Sequence, residues 1–180
     1  LLNILSKNHN IDNGLVFYED SDINKVNSST YKKEVLFLDK VNKRPWFGGN
    51  VKDYMKKNIQ TQLDKDYETA FKKICSAMKI PDYILKSDVS EISDGEFRWI
   101  LLAIAISIDT KVLIINYLEK HLDSNRRIIL NRVLKRKSSH DGVTIIASSY
   151  SPEAFKMSTS VYIKMDNGRI TQVRSVSHKS

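Results

Sequence analysis

Several polar side chains of this chain are of the kinds that enzymes use, but few have the spacing of a known active site. Ser148 and Ser149 lie near His140 and Asp141, which are the residue types of a serine hydrolase. No Gly-x-Ser-x-Gly turn is present to expose such a serine, so we do not expect this chemistry. The four histidines lack ligand spacing, and the single cysteine, Cys75, cannot build a metal site or a disulfide framework. We therefore predict no metal site from these residues.

Other polar residues follow short apolar segments in the second half of the chain. Asn116 and Tyr117 come directly after Val112–Ile115, and Tyr150 comes shortly after Thr144–Ala147. A β-rich run between polar ends is typical of a buried parallel strand. On these residues alone, Asn116 and Tyr117 cap a strand and Tyr150 is an ordinary half-buried tyrosine.

Helices are predicted around these two strands. Residues 97–107 are apolar nearly all round and predict a buried helix that follows a polar loop over 90–96. Residues 123–137 predict an amphipathic helix. Its apolar face is formed by Ile128, Ile129, Val133 and Leu134. Alternating strands and helices indicate a parallel α/β core.

The remaining segments predict a mixed first half and a closing hairpin. We expect a helical stub over 1–5, strands over 15–18 and 34–38, and a loop over 19–33. Residues 51–86 are predicted to be mostly helical, with Asn50 as the N-cap and a break at Pro81. The Asp166-Asn167-Gly168 turn between 161–165 and 169–173 is a strong hairpin signal.

Composition limits the class of protein. The chain has 180 residues, 41% of them hydrophobic, which suits one domain with a core. The net charge of +8 permits nucleic acid, anionic membranes or nucleotides as partners. The apolar run from Trp99 to Ile108 is too short to span a bilayer, and the N-terminus has no basic region of a secretory signal. A single cysteine favours a reducing compartment.

The order of these motifs resembles the nucleotide-binding domain of ATP-binding cassette (ABC) proteins. Ile92–Trp99 resembles the signature that opens a helix, Lys111–Asp123 resembles a Walker B strand with its D-loop, and Thr144–Tyr150 resembles the strand that ends in the switch histidine. The resemblance extends to segments at both ends of the chain. These are Leu1–Leu5, Asp12–Val16, the exporter-like Trp46–Val51 and Asp166–Ile170.

This resemblance implies a fold and two cofactors. The fold class is α/β, a P-loop NTPase-like parallel sheet core with a helical subdomain, of the ABC ATPase type. One domain would cover 1–180, with the helical subdomain near 51–90 and a return to the core and hairpin over 91–180. The Walker A loop would lie just upstream of Leu1, so we expect a truncated N-terminal part. ATP and Mg²⁺ are the cofactors that the family implies.

Three positions depart from the family at its catalytic motifs. Asn116 stands at the Walker B aspartate, Tyr117 at the catalytic glutamate and Tyr150 at the switch histidine. A neutral amide contributes little to a Mg²⁺ shell, and a phenol that stays protonated at pH 7 is a poor general base. Glu119 would occupy the catalytic position only if the register slipped by two residues. These substitutions predict a lost or weakened hydrolysis cycle.

Nucleotide contacts are also implied by the resemblance. The candidate residues are Ser93, Asp94, Gly95, Glu96 and Asp123, with Lys40 or Asn42 at the nearest positions to the missing Q-loop glutamine. Asp94 replaces the first signature glycine, and its carboxylate would face the partner's γ-phosphate, where like charges repel. Glu96 replaces the signature glutamine, and Trp99 and Ile104 replace arginines.

Two functions from different classes follow. The first is a nucleotide-binding domain of an exporter-like ABC transporter, paired with a second such domain and with a membrane subunit that holds it at the cytoplasmic face of the membrane. The second is a soluble ABC-like interaction module that acts as a regulator or binds nucleic acid. Its main support is the net charge. A basic cluster is either a solvated helix face or a contact surface for nucleic acid or anionic lipid. The cluster consists of Arg126, Arg127, Arg132, Lys135, Arg136 and Lys137. An active ATPase would require other residues to replace the lost base.

Overall fold

The structure is a computed structural model, and it describes residues 1–39, 44–45, 49–61 and 66–176. The Q-loop candidates Lys40 and Asn42, and part of the exporter-like segment, Trp46–Gly48, lie outside the described residues. None of the helices within these ranges combines the length and apolarity needed to cross a bilayer.

Short helices and strands make up the first part of the chain. They are α1 (Leu2–Leu5), β1 (Phe17–Tyr18), β2 (Ser21–Asp22), α2 (Ser28–Glu34) and β3 (Val35–Leu38). The loop predicted over 19–33 is wrong, because β2 and α2 form there. Asn27 starts α2 by accepting hydrogen bonds from the N–H groups of Ser29 and Thr30, and Tyr31 anchors the helix because its ring is buried.

Three helices follow, as the sequence predicts for this region. They are α3 (Val51–Gln60), α4 (Tyr67–Ala77) and α5 (Asp82–Lys86). Asn50 caps α3 by accepting a hydrogen bond from the N–H of Asp53 at 2.9 Å. Pro81 lies just before α5, so the predicted break is confirmed. Buried side chains such as Met55 and Phe71 join these helices to the main core.

Alternating helices and strands form the second half. They are α6 (Asp94–Ser107), β4 (Val112–Ile115), α7 (Ser124–His140), β5 (Thr144–Ala147), a 3₁₀ helix (Pro152–Ser158), β6 (Val161–Asp166) and β7 (Arg169–Ser175). The start of α6 lies three residues before the predicted one, because Ser93 and Glu96 form a capping box. On α7 the buried residues are Leu130, Leu134 and Lys137. Ile128 is 59% exposed, so its predicted place on the apolar face is wrong.

A parallel three-stranded sheet lies at the centre, in the order β3-β4-β5. Leu38 pairs with Ile115, and Ile115 pairs with Ala147, so the three strands end side by side. Helix α6 packs along this sheet with most of its side chains buried, including Ile100 and Leu102. The predicted parallel α/β core is therefore confirmed.

The closing hairpin forms where the sequence predicts it. Strands β6 and β7 pair antiparallel, and the turn between them consists of Asn167 and Gly168. Both residues have positive φ, at 46° and 78°, as a tight hairpin turn of Asn-Gly requires.

Candidate functional site

Polar residues meet at the carboxyl ends of the three parallel strands. Asp39, Asn116 and Ser148 are the first residues after β3, β4 and β5. Because the strands end in register, these side chains lie next to one another. Ligands of open α/β sheets bind at this end. This edge is therefore the candidate site.

Asn116 joins the other two side chains. Its Nδ2 donates to the carboxylate Oδ1 of Asp39 at 2.9 Å, and its Oδ1 accepts from the hydroxyl of Ser148 at 2.8 Å. The Oγ of Ser148 in turn accepts from the N–H of Tyr117 at 2.8 Å. Both ends of the Asn116 amide are thus used inside the protein.

Tyr117 and Tyr150 form a stacked pair beside this network. Their ring centroids are 4.7 Å apart and the rings are 24° from parallel. Tyr117 has a φ of 54°, which is uncommon for a bulky residue. Tyr150 is 78% exposed, and a hydrogen bond with Tyr117 is the main cause that raises its pKa. Tyr150 therefore stays a neutral phenol around pH 7.

Glu119 holds the loop that carries Tyr150. Its Oε1 accepts hydrogen bonds from the backbone N–H groups of Tyr150 and Ser151. The residue is only 7% exposed, and its Oε2 is buried with no hydrogen-bond partner among the described residues. The Glu119 carboxyl group therefore holds the backbone of the Tyr150 loop and is not placed to act as a general base.

Arg98 lies beneath the site, on α6. It is 4% exposed and donates to three backbone carbonyls at the strand ends. Nη1 bonds to the carbonyl of Asp39 at 2.6 Å, and Nη2 bonds to the carbonyls of Asn116 at 2.8 Å and Tyr117 at 3.3 Å. One guanidinium thus ties the end of β3 to the end of β4.

The start of α6 holds most of the predicted nucleotide contacts. Ser93 accepts from the N–H of Glu96, and the Glu96 carboxylate accepts from the N–H of Ser93 at 2.8 Å. This backbone bond is the first cause that lowers the pKa of Glu96. Asp94 is exposed and pairs with Arg44 at 2.9 Å. The first turn of α6 thus presents two carboxylates, those of Asp94 and Glu96. The charge of Asp94 is partly offset by Arg44.

Gly95 brings this turn against the loop after β4. A Cβ at position 95 would lie 2.8 Å from the carbonyl oxygen of His121, a distance that real Cβ atoms essentially never show. Asp123 ends that loop as the N-cap of α7 and accepts from the N–H of Arg126 at 2.9 Å. The signature-like turn and the D-loop-like segment are therefore neighbours.

The structure brings the predicted residues into two adjoining groups. Asn116, Tyr117 and Tyr150 lie at the strand ends, whereas Ser93–Glu96 and Asp123 lie at the starts of α6 and α7. Trp99 and Ile104, which stand where the resemblance implies arginines, are buried in the core. The indole N–H of Trp99 donates to the carbonyl of Met78 at 3.2 Å.

Three residues of the site were missed by the sequence analysis. Asp39 directly follows the predicted strand over 34–38, and that place at a strand end was the available signal. Arg98 was signalled by its charge within an otherwise apolar helix. Glu119 was considered only as a displaced catalytic acid, and nothing in the sequence indicates its bonds to the Tyr150 loop.

The strand ends do not fit the Mg²⁺ ion that the resemblance implies. Asn116 would have to break its bond to Ser148 before its oxygen could bind a metal. Mg²⁺ is usually held by carboxylates in octahedral geometry. Within the described ranges, no three His, Cys, Asp or Glu side chains come together as a metal site.

Comparison with solved structures shows the fold. A dimeric structure of MJ0796, a bacterial ABC transporter cassette, aligns with a TM-score of 0.82 at 13% identity, over 99% of this chain and 80% of that one. A post-hydrolysis dimer of the ATP-binding cassette MJ0796 bound to ADP and Pi gives 0.79 at 12% identity. The chain therefore has the fold of an ABC ATPase cassette, and the predicted fold class is confirmed.

Comparison by sequence finds relatives of differing kinds, whereas no family model matches. Translation initiation factor RLI1 of Saccharomyces cerevisiae is 28% identical over 70% of this chain. ABC multidrug transporter mdr1 of Aspergillus fumigatus is 26% identical over 88%, and ATP-binding protein Uup of Buchnera aphidicola is 25% identical over 95%. The matched part spans 19%, 12% and 26% of these relatives' own lengths.

Proposed function

We propose that this chain is a nucleotide-binding domain of an ABC transporter, exporter-like, that binds ATP at an interface with a second such domain and has weak or no hydrolysis of its own. It forms one cassette domain over 1–180, with a helical subdomain near 51–90. The observation that carries the proposal is the closed network of Asn116, Asp39 and Ser148 beside the stacked tyrosines, on a cassette fold.

The lack of hydrolysis follows from the groups at the strand ends. Phosphoryl transfer to water needs a group that positions the water and charges that stabilise the transition state. Tyr117 and Tyr150 offer phenolic hydroxyls, the pKa of Tyr150 is raised further by its bond with Tyr117, and Glu119 is held by two backbone N–H groups. None of the three is placed to accept a proton from water at neutral pH.

Nucleotide binding would use the start of α6 and Asp123 against a nucleotide held by the partner domain. The helix N-terminus favours an anion, whereas the carboxylate of Asp94 opposes one. Arg44 offsets part of that charge through its 2.9 Å pair with Asp94. We expect weak binding at this shared site, so a catalytically intact partner would carry turnover.

The membrane partner would dock on the helical subdomain. In transporters of this family that subdomain receives a coupling helix of the membrane subunit, and here it consists of α3, α4 and α5. Such a partner would place the domain in the cytoplasm, at the inner face of the membrane. The similarity to mdr1 supports this proposal.

ATP titration by calorimetry tests the binding claim on the full-length protein. We expect saturable binding that tightens several-fold in Asp94→Ala, because a like charge near the phosphate is removed. Glu91→Ala is the matched control, since Glu91 is an exposed acid three residues earlier. An ATP affinity that is undetectable in all three proteins would contradict the proposed function.

A second candidate is a soluble ABC-like pseudo-ATPase interaction module that binds nucleic acid. Residues 124–180 contain eleven lysines and arginines and three acidic residues, whereas residues 1–123 contain eighteen of each. The whole net charge of +8 therefore lies in the last 57 residues, on and after α7. RNA affinity that falls steeply with salt, together with no ATP binding, would favour this function over the first.

A further inference from the structure

The strand ends already contain a fixed positive charge. Arg98 is buried, and its guanidinium bonds to the carbonyls of Asp39, Asn116 and Tyr117. Its Nε has no hydrogen-bond partner among the described residues. Burial lowers the pKa of Arg98 to about 10, and the nearby charge of Asp39 opposes that shift. The side chain is therefore a cation at neutral pH.

Asp39 provides the matching negative charge. It lies in register with Asn116, one residue beyond the paired Leu38 and Ile115. The carboxylate accepts from the Asn116 amide at 2.9 Å and interacts electrostatically with Arg98. A carboxylate follows β3, an amide follows β4, and a guanidinium lies beneath both.

A divalent cation at this place would meet two obstacles. The Asn116 oxygen is already bonded to the Ser148 hydroxyl. A second cation would also be repelled by Arg98, since Coulomb repulsion over a few ångströms is strong in a partly buried site. The arrangement neutralises Asp39 without a metal.

We propose that the guanidinium of Arg98 supplies the positive charge at the carboxyl ends of β3 and β4, and that these strand ends therefore bind no divalent or trivalent metal ion. Arg98 is then a positioning residue that joins the ends of two strands and fixes the turn at Tyr117. Its guanidinium also supplies the positive charge that a bound metal ion would otherwise supply.

Tyrosine-sensitised Tb³⁺ luminescence is a direct test. The pair Tyr117 and Tyr150 lies beside the strand ends and would sensitise an ion bound there. This inference rests on the proposed function, which uses the same strand ends to explain weak hydrolysis. Tb³⁺ is therefore added without nucleotide, so that metal binding and the proposed function can fail separately. We expect the full-length wild type and Asp39→Asn to give superimposable titrations. Saturable emission that is present in the wild type and lost in Asp39→Asn would overturn the proposal.

Removal of Arg98 supplies the second test. We expect Arg98→Gln combined with Asn116→Asp to gain Tb³⁺ affinity of about tenfold or more over Asn116→Asp alone, because the repulsion is relieved. Near-ultraviolet circular dichroism shows whether the double variant is folded. Equal affinity in the two folded variants would contradict the role of Arg98. If the double variant does not fold, the comparison of the wild type with Asp39→Asn decides.

Discussion

At the scale of single residues, the polar and aromatic groups at the strand ends contact one another. Asn116 bonds to Asp39 and Ser148, and Tyr117 stacks on Tyr150. Each of these groups is satisfied by a protein neighbour. The proposed weakness of hydrolysis rests on this arrangement of mutually bonded groups.

Glu119 is predicted to fix the tyrosine pair. In Glu119→Ala the N–H groups of Tyr150 and Ser151 lose their acceptor, which we expect to destabilise the protein by about 1–3 kcal/mol. The pKa of Tyr150 should fall toward its ordinary value, since its bond with Tyr117 and the charge of Glu119 both raise it. Alkaline absorbance titration, with Tyr150→Phe to assign the transition, measures this change.

Glu119→Gln is the matched control for that experiment. A glutamine keeps an oxygen acceptor for both N–H groups, so the stacked pair and its near-ultraviolet circular dichroism should persist. Identical titration curves for the wild type and Glu119→Ala would show that Glu119 does not position Tyr150.

Only part of this site could be predicted from single residues. Asn116, Tyr117 and Tyr150 were found because they follow apolar strands in the order of a family. Asp39 was not predicted, because the resemblance points to Lys40 or Asn42 as the residues nearest to the Q-loop glutamine. The hydrogen bonds of Arg98 could not be predicted, because its partners Asp39 and Asn116 lie 59 and 18 positions away in the sequence.

At the scale of elements, the capping box at the start of α6 holds the signature-like turn. Glu96→Ala should destabilise the protein by about 0.5–1 kcal/mol at pH 7, because the N–H of Ser93 loses its partner. Glu91→Ala, which replaces an exposed acid, serves as the control. The free energy of unfolding is measured with denaturant.

This effect should depend on pH in a definite direction. The pKa of Glu96 is lowered in the folded state, first by the Ser93 N–H and then by the Ser93 hydroxyl. A lowered folded pKa gives stability that is present above the unfolded pKa and is lost as the pH falls through the folded pKa. The difference between wild type and Glu96→Ala should therefore shrink toward acid pH. A difference that stays constant from neutral to acid pH would refute this role of the Glu96 charge.

Elements with a strong local signal were predicted well. The strands over 112–115 and 144–147 and the final hairpin follow directly from apolar runs and an Asn-Gly turn. Helix α2 was missed because its sequence is polar, and its stability depends on the Asn27 cap and the buried Tyr31 ring. Ile128 was misplaced because the packing of α7 against the core selects a different face, centred on Leu130 and Leu134.

At the scale of the whole molecule, the chain has a cassette fold in which the net positive charge lies toward one end of the sequence. Residues up to 123 are balanced, and the excess lies in residues 124–180. That distribution suits an anionic partner bound on α7 and the hairpin region, whereas the proposed nucleotide contacts lie at the start of α6 and at Asp123. The two proposed functions thus use neighbouring parts of one fold that meet at the start of α7.

ATP turnover, measured as phosphate release on the same sample that binds ATP, decides whether this chain hydrolyses ATP at its own site. We expect saturable ATP binding and no phosphate release by this cassette's own site. If wild-type turnover is clear and Tyr117→Phe abolishes it, then Tyr117 takes part in catalysis and the account of a cassette without its own hydrolysis is wrong.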